Sequence, residues 1–167
     1  VFAEFSFAMV SYLFITGLTR AAFTNTALSR PNDRQSYLRS IQRSTLISIV
    51  ADLGLIVWAF LSSNYYLLLL GITLPGQVML DFIRTYNAAA EKPLMSLTLS
   101  TAWSGATLMV SIISFGYAVK PILLFATWAI SGCLSGFVGS IVSGVLSKPW
   151  WDSERSETSA AFFFSID

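Results

Sequence analysis

The chain contains no histidine among its 167 residues and a single cysteine, Cys133. The first absence removes the commonest general base, and the two together leave no plausible zinc cluster. One cysteine inside an apolar run also excludes a disulfide framework within the chain. Charge is scarce: 11% of residues are charged, where a soluble domain carries roughly 25%. The net charge of +1 and the lack of any basic tract give no reason to expect nucleic acid as a partner. No aspartate pair at short spacing and no glycine-rich phosphate loop is present, so neither an enzyme nor a cofactor is expected. The chain opens Val1-Phe2-Ala3-Glu4, with no start methionine and no basic n-region. A cleavable signal peptide is not expected, and a fragment of a longer protein is.

What is abundant is apolar surface. Residues of hydrophobic type make up 54% of the chain, and the mean hydropathy is +0.66. A folded chain this poor in charge must show apolar surface to its solvent, and lipid is the solvent that permits it. A bilayer core of about 30 Å needs about 20 apolar residues of helix. Five stretches qualify, residues 1–19, 44–62, 65–83, 94–117 and 121–147. None alternates apolar with polar as barrel strands must. Backbone groups in lipid must pair internally, which continuous helices achieve. The expectation is an all-α transmembrane bundle over residues 1–149, with a tail over 150–167.

Charge orients the bundle. Arg20, Arg30, Arg34, Arg39, Arg43, Arg84, Lys92, Lys148 and Arg155 fall on one side, and Lys120 on the other. The positive-inside rule places the 20–43 segment and the tail in the cytoplasm and Val1 outside. An odd number of spans starting outside fits a chain from which one preceding span is missing. Pro31-Asn32-Asp33 reads as a turn and cap. Beyond it, Tyr37, Leu38 and Ile41 oppose Arg34, Arg39 and Arg43, as in a short interfacial helix feeding the second span; a solvated loop is the alternative. Trp150-Trp151-Asp152 reads as an interfacial anchor, and the apolar residues 160–166 as the start of a further span.

Several residues inside the spans stand out. Asp52 lies eight residues into the second span, about 12 Å along the axis at 1.5 Å per residue. An aspartate at such depth costs ~2.5–3.5 kcal/mol on insertion scales unless it is paired, protonated or wetted. It is a candidate proton, cation or substrate site, or else a structural hydrogen-bond partner. Asp81 and Arg84 are spaced to meet on one helix face, as an intrahelical ion pair, a snorkelling anchor or a ligand contact. Arg20 ends the first span. Pro75-Gly76 in the third span are candidate hinge residues, because proline removes a backbone donor and crowds the preceding turn. In the fifth span Gly132, Gly136, Ser140 and Gly144 repeat every fourth residue, a spacing that lets helices pack closely, within the bundle or against another chain.

The run Leu74-Pro75-Gly76 … Asp81-Phe82-Ile83-Arg84, continuing through Tyr86 and Ala88-Ala89-Ala90 to Lys92-Pro93, resembles a pattern of bacterial polysaccharide-flippase-like proteins. These belong to the multidrug/oligosaccharidyl-lipid/polysaccharide exporter superfamily. Trp103 in the next helix and the junction Leu18-Thr19-Arg20-Ala21 fit the same pattern. The resemblance implies movement of lipid-linked oligosaccharide across the plasma membrane by alternating access between two lobes, of which this chain is most of one. Asp52, Arg20, Asp81 and Arg84 are then candidate residues of a polar cavity. Its partners would be membrane lipid, a lipid-linked glycan and the remaining helices of the full protein. A multidrug exporter and a non-transporting scaffold remain alternatives, since fold resemblance alone does not set substrate.

Overall fold

The computed structural model describes residues 2–29, 34–89, 93–116 and 120–143. Arg30, the 31–33 cap, Lys92, Gly144, Lys148, Arg155 and the tail at 150–167 lie outside them. The described chain is an all-α bundle: α1 (Phe2–Thr19), a π-helical turn (Arg20–Thr24), α2 (Asn25–Leu28), α3 (Arg34–Ser62), α4 (Tyr65–Ala89), α5 (Pro93–Gly116) and α6 (Pro121–Val142). Five helices are long and apolar enough to cross a membrane, α1 with its π turn, α3, α4, α5 and α6. The chain has the character of a multi-pass membrane protein.

α4 is the axis. It packs against α1, α3, α5 and α6, and Leu67, Leu70, Leu74 and Ile83 along it are wholly buried. Around it the outer faces are apolar and uncovered, with Phe14, Val50, Leu61 and Ile112 each more than half exposed. An exterior of this kind is stable in hydrocarbon and not in water.

Two boundaries differ from the sequence expectation. No separate interfacial helix precedes the second span: α3 runs unbroken from Arg34 to Ser62. Tyr37, Leu38 and Ile41 are buried against Phe82 and Ile83 of α4, and the Tyr37 ring lies 4.1 Å from that of Tyr86. The apolar stripe read as part of an interfacial helix therefore covers the C-terminal end of α4, which itself continues to Ala89. The first span likewise continues past residue 19, through the π turn.

Turn chemistry follows the sequence closely. Ser62, Ser63 and Asn64 reverse the chain between α3 and α4, with Ser63 in the left-handed region at φ 52°. The Asn64 side-chain oxygen accepts the Tyr66 and Leu67 amides at 3.0 and 3.2 Å, satisfying donors that a helix start leaves free. Pro121 occupies the first turn of α6, where the missing N–H costs nothing.

α4 and α6 cross at glycine. A Cβ on Gly76 would stand 2.6 Å from Cys133 Sγ and 2.7 Å from Cys133 Cα. One on Gly136 would run into the Gly76 carbonyl. Gly132, Gly136, Gly139 and Ser140 are all buried, so this stripe of α6 is spent on α4 and α5 inside the bundle. Close backbones gain dispersion and weak Cα–H···O contacts that larger residues would prevent. Gln77 adds a bond from its Nε2 to the Ala129 carbonyl at 3.2 Å, worth about 0.6 kcal/mol on the average for such bonds in membranes.

Candidate functional site

α1 leans on α4, and α5 on both α4 and α6, but the backbones of α1 and α5 do not meet. Between them opens a groove of about 610 Å³, which adjoins a second open stretch of about 700 Å³ along α5 and Trp128; the two share Thr107 and Trp128. Toward the Asn64 end its walls are apolar, with Phe2, Phe5 and Met9 from α1 and Phe125 from α6. Farther along, α5 lines it with hydroxyls, Ser100, Ser104, Thr107 and Ser111. Ser100, Thr107 and Ser111 each donate to the carbonyl four residues back, at 2.7, 3.1 and 2.8 Å. Their donors are thus used locally, and their lone pairs face outward as acceptors.

An aromatic ladder floors the groove. Phe5 and Tyr66 meet edge to face at 6.0 Å, Tyr66 and Phe125 at 5.3 Å, and Phe125 lies 5.4 Å from Trp128. Tyr12 of α1 sets its ring edge-on to Trp128 at 5.0 Å. Trp103 of α5 follows at 5.8 Å from Trp128, and its Nε1 donates to the Trp128 carbonyl at 3.0 Å. The last rung is ionic: the Arg84 guanidinium stands 5.4 Å from the centre of the Trp103 ring. Its Nε is buried with no hydrogen-bond partner among the described residues.

One turn before Arg84, Asp81 receives Arg20. Arg20 Nε donates to Asp81 Oδ2 at 3.1 Å, and the second guanidinium nitrogen contacts Oδ1. This bidentate pair joins the π turn after α1 to α4. The intrahelical Asp81–Arg84 pair expected from their spacing is not the arrangement found: Asp81 is satisfied across helices, and Arg84 turns to the tryptophan. Tyr12 lies within electrostatic range of all three charges.

Arg20, Asp81 and Arg84 are thus gathered at one end of the groove. Asp52 is elsewhere. It is buried in the α3–α4 seam beside Gly71, where a Cβ on the glycine would sit 3.4 Å from the Asp52 carbonyl oxygen. Gly71 and Asp81 are ten residues apart on α4, about 15 Å along its axis. Asp52 Oδ1 has no hydrogen-bond partner among the described residues, so a structural bond to a neighbouring serine or threonine is not what holds that atom. Pro75 and Gly76 lie within a helix that continues on both sides of them.

Sequence reasoning missed Tyr12 and Trp128 as site residues. Aromatic residues in a membrane helix are common, and only the rotation of each helix aligns these into a ladder. A signal was nevertheless present on α5, where Ser96, Ser100, Ser104, Thr107, Ser111 and Ser114 recur on one helical face. No cluster of three metal-ligating side chains occurs among the described residues. No family model, curated protein or solved structure matches this chain.

Proposed function

We propose that the chain is part of a membrane transporter that moves a lipid-linked oligosaccharide, with the α1–α5 groove as the substrate's path. The carrying observation is Arg84, half-buried over Trp103 at the end of an aromatic groove, with one guanidinium N–H unused. A phosphate-bearing headgroup takes a guanidinium as its natural partner. Hydroxyl lone pairs and aromatic faces suit the sugar that follows. The groove is open on its long side, as a ligand that keeps its hydrocarbon tail in the bilayer requires. In this reading the Arg20 end faces the cytoplasm of the plasma membrane, as the arginine distribution indicates. The Arg20–Asp81 pair then latches α1 to α4 beside the entry point, and the chemistry is transport without catalysis.

The test is translocation of a lipid-linked oligosaccharide by the full-length protein in proteoliposomes. Arg84→Ala is expected to slow transport roughly two- to thirtyfold, the span of a cation–π contact of about 0.5–2 kcal/mol, with Arg84→Lys retaining part of the rate. Wild-type rates for both Arg84→Ala and Trp103→Ala would rule the groove out as the path. A second reading, export of an apolar small molecule, is favoured by the apolar stretch around Phe5 and Phe125. It predicts that Phe125→Ala abolishes efflux of a hydrophobic dye while Arg84→Ala leaves it unchanged.

A further inference from the structure

Ser40, Ser44, Ser48 and Asp52 follow one another along α3 at a spacing of four residues, the interval that forms a continuous ridge on a helix surface. All four are buried, at 7%, 0%, 0% and 6% exposure. Ser44 donates to the Ile41 carbonyl at 2.9 Å and Ser48 to the Thr45 carbonyl at 2.7 Å, which leaves each hydroxyl oxygen able to accept. The ridge ends on Asp52 Oδ1, which has no partner among the described residues. On the facing helix, Pro75 offers no N–H to the Gly71 carbonyl, and the Gly71 backbone comes close to the backbone carbonyl of Asp52. The seam is therefore short of donors at this depth.

Nearby charge does not relieve it. The charged residues of the neighbouring elements are engaged elsewhere. Arg20 of the π turn pairs with Asp81 and Arg84 stands over Trp103, about 15 Å or more along α4 from Gly71. Glu4 of α1 lies at the Asn64 end, where its carbonyl accepts from the Asn64 amide at 3.4 Å. On α3 itself, Arg43 is exposed, nine residues before it. Tyr12 of α1 faces Trp128 and Tyr66 of α4 faces Phe125. The Cys133 thiol of α6 is within electrostatic range. A carboxylate without water or cation is expensive in such a place, and the neutral acid is the form that the surroundings tolerate. One added proton also supplies a donor at a carboxyl whose Oδ1 has no partner among the described residues.

The two ends of the seam are unlike. From Asp52 toward Asn64 it is filled by Leu55 and Ala59 against Tyr66, Leu67 and Leu70, and the short turn closes it. Toward Arg34 the serines run along it beside Tyr37, Leu38 and Ile41, which pack on Phe82 and Ile83. We propose that Asp52 is a proton-binding site filled from the Arg34 end of the bundle along Ser40, Ser44 and Ser48. Successive hydroxyls are separated by a rise of about 6 Å, the length of two hydrogen bonds of about 2.8 Å through one bridging water. The proton passes from bulk water to the first hydroxyl, each hydroxyl or water takes one and releases another, and the carboxylate oxygen accepts the last. No bond other than O–H forms or breaks. This site stands whatever the groove carries.

The full-length protein in oriented vesicles, followed by infrared difference spectroscopy after a pH jump, tests the assignment. A protonated-carboxyl band is expected at a pH where an exposed aspartate is fully ionised, and it should vanish in Asp52→Asn. A band that survives in Asp52→Asn, or none in the wild type, overturns the site. Acidifying the compartment at the Arg34 end should fill it at least tenfold faster than acidifying the opposite one; equal rates, or the reverse order, overturn the route. Ser44→Ala combined with Ser48→Ala should slow filling at least tenfold and leave its end point unchanged, with Ser44→Thr and Ser48→Thr restoring the rate. The compartment comparison needs no substitution and stands even if the double variant fails to fold.

Discussion

A methyl group added at Gly136 has nowhere to go, because it meets the backbone carbonyl of Gly76 rather than a side chain that could rotate away. Overpacking of this kind typically costs about 1–3 kcal/mol, and Gly136→Ala is expected to lower stability by that amount or more in reversible unfolding from detergent micelles. Gly54 is the control. A Cβ there meets nothing within 4 Å, so Gly54→Ala should be neutral or stabilising by up to about 1 kcal/mol through helix propensity. Equal losses at the two positions would contradict the α4–α6 crossing. The glycine spacing was readable in the sequence; which helix it meets was not, since a stripe of small residues fits any close neighbour. Asp52 was legible for the same reason that it is rare, a charge deep in an apolar run. The partner of Asp81 was not, because Arg20 lies 61 residues away and an arginine three residues on offered a local answer.

Helices α1 and α4 are fastened by the Arg20–Asp81 pair through a π turn, a widened helical turn of the sort found at functional sites more often than elsewhere. The Arg20 side chain is 53% exposed and that of Asp81 17%. Solvent screening therefore holds the pair to about 0.3–1 kcal/mol, and a double-mutant cycle on Arg20→Ala and Asp81→Ala should return a coupling in that range. Zero coupling would mean that α1 is held without the pair, by its apolar and aromatic contacts and by the bond from Asn64 Nδ2 to the Glu4 carbonyl at 3.4 Å. The existence and type of each of the five long helices came directly from the length of its apolar run; the π turn and α2 did not, lying in a polar segment. Helix ends came less well. The 34–43 stretch has the pattern of a surface helix, and what buries it is a pair of aromatic residues at the end of α4, Phe82 and Tyr86, the second of which is placed only because the third span continues past residue 83.

On the scale of the molecule, five crossings put the Ser29 and Ser63 connections at opposite ends. With Cys133→Ala as background, a cysteine at Ser63 should react with an impermeant maleimide added outside the cell, and one at Ser29 only after permeabilisation. The opposite pattern would invert the bundle and with it the arginine-based orientation. Fold class was open to the sequence because lipid permits so few backbone solutions. The groove was not, because it exists only as the gap that two helices leave when both lean on a third.

The Ser62–Asn64 reversal has one more implication, for biogenesis. Three residues cannot hold α3 and α4 apart, so the two helices should leave the translocon together as a hairpin. Asp52 then enters the bilayer with Gly71 already beside it and is never presented to lipid on a solitary helix. Lengthening that reversal with a flexible insert would separate the two insertion events, and membrane integration of α3 should then depend on removing the aspartate.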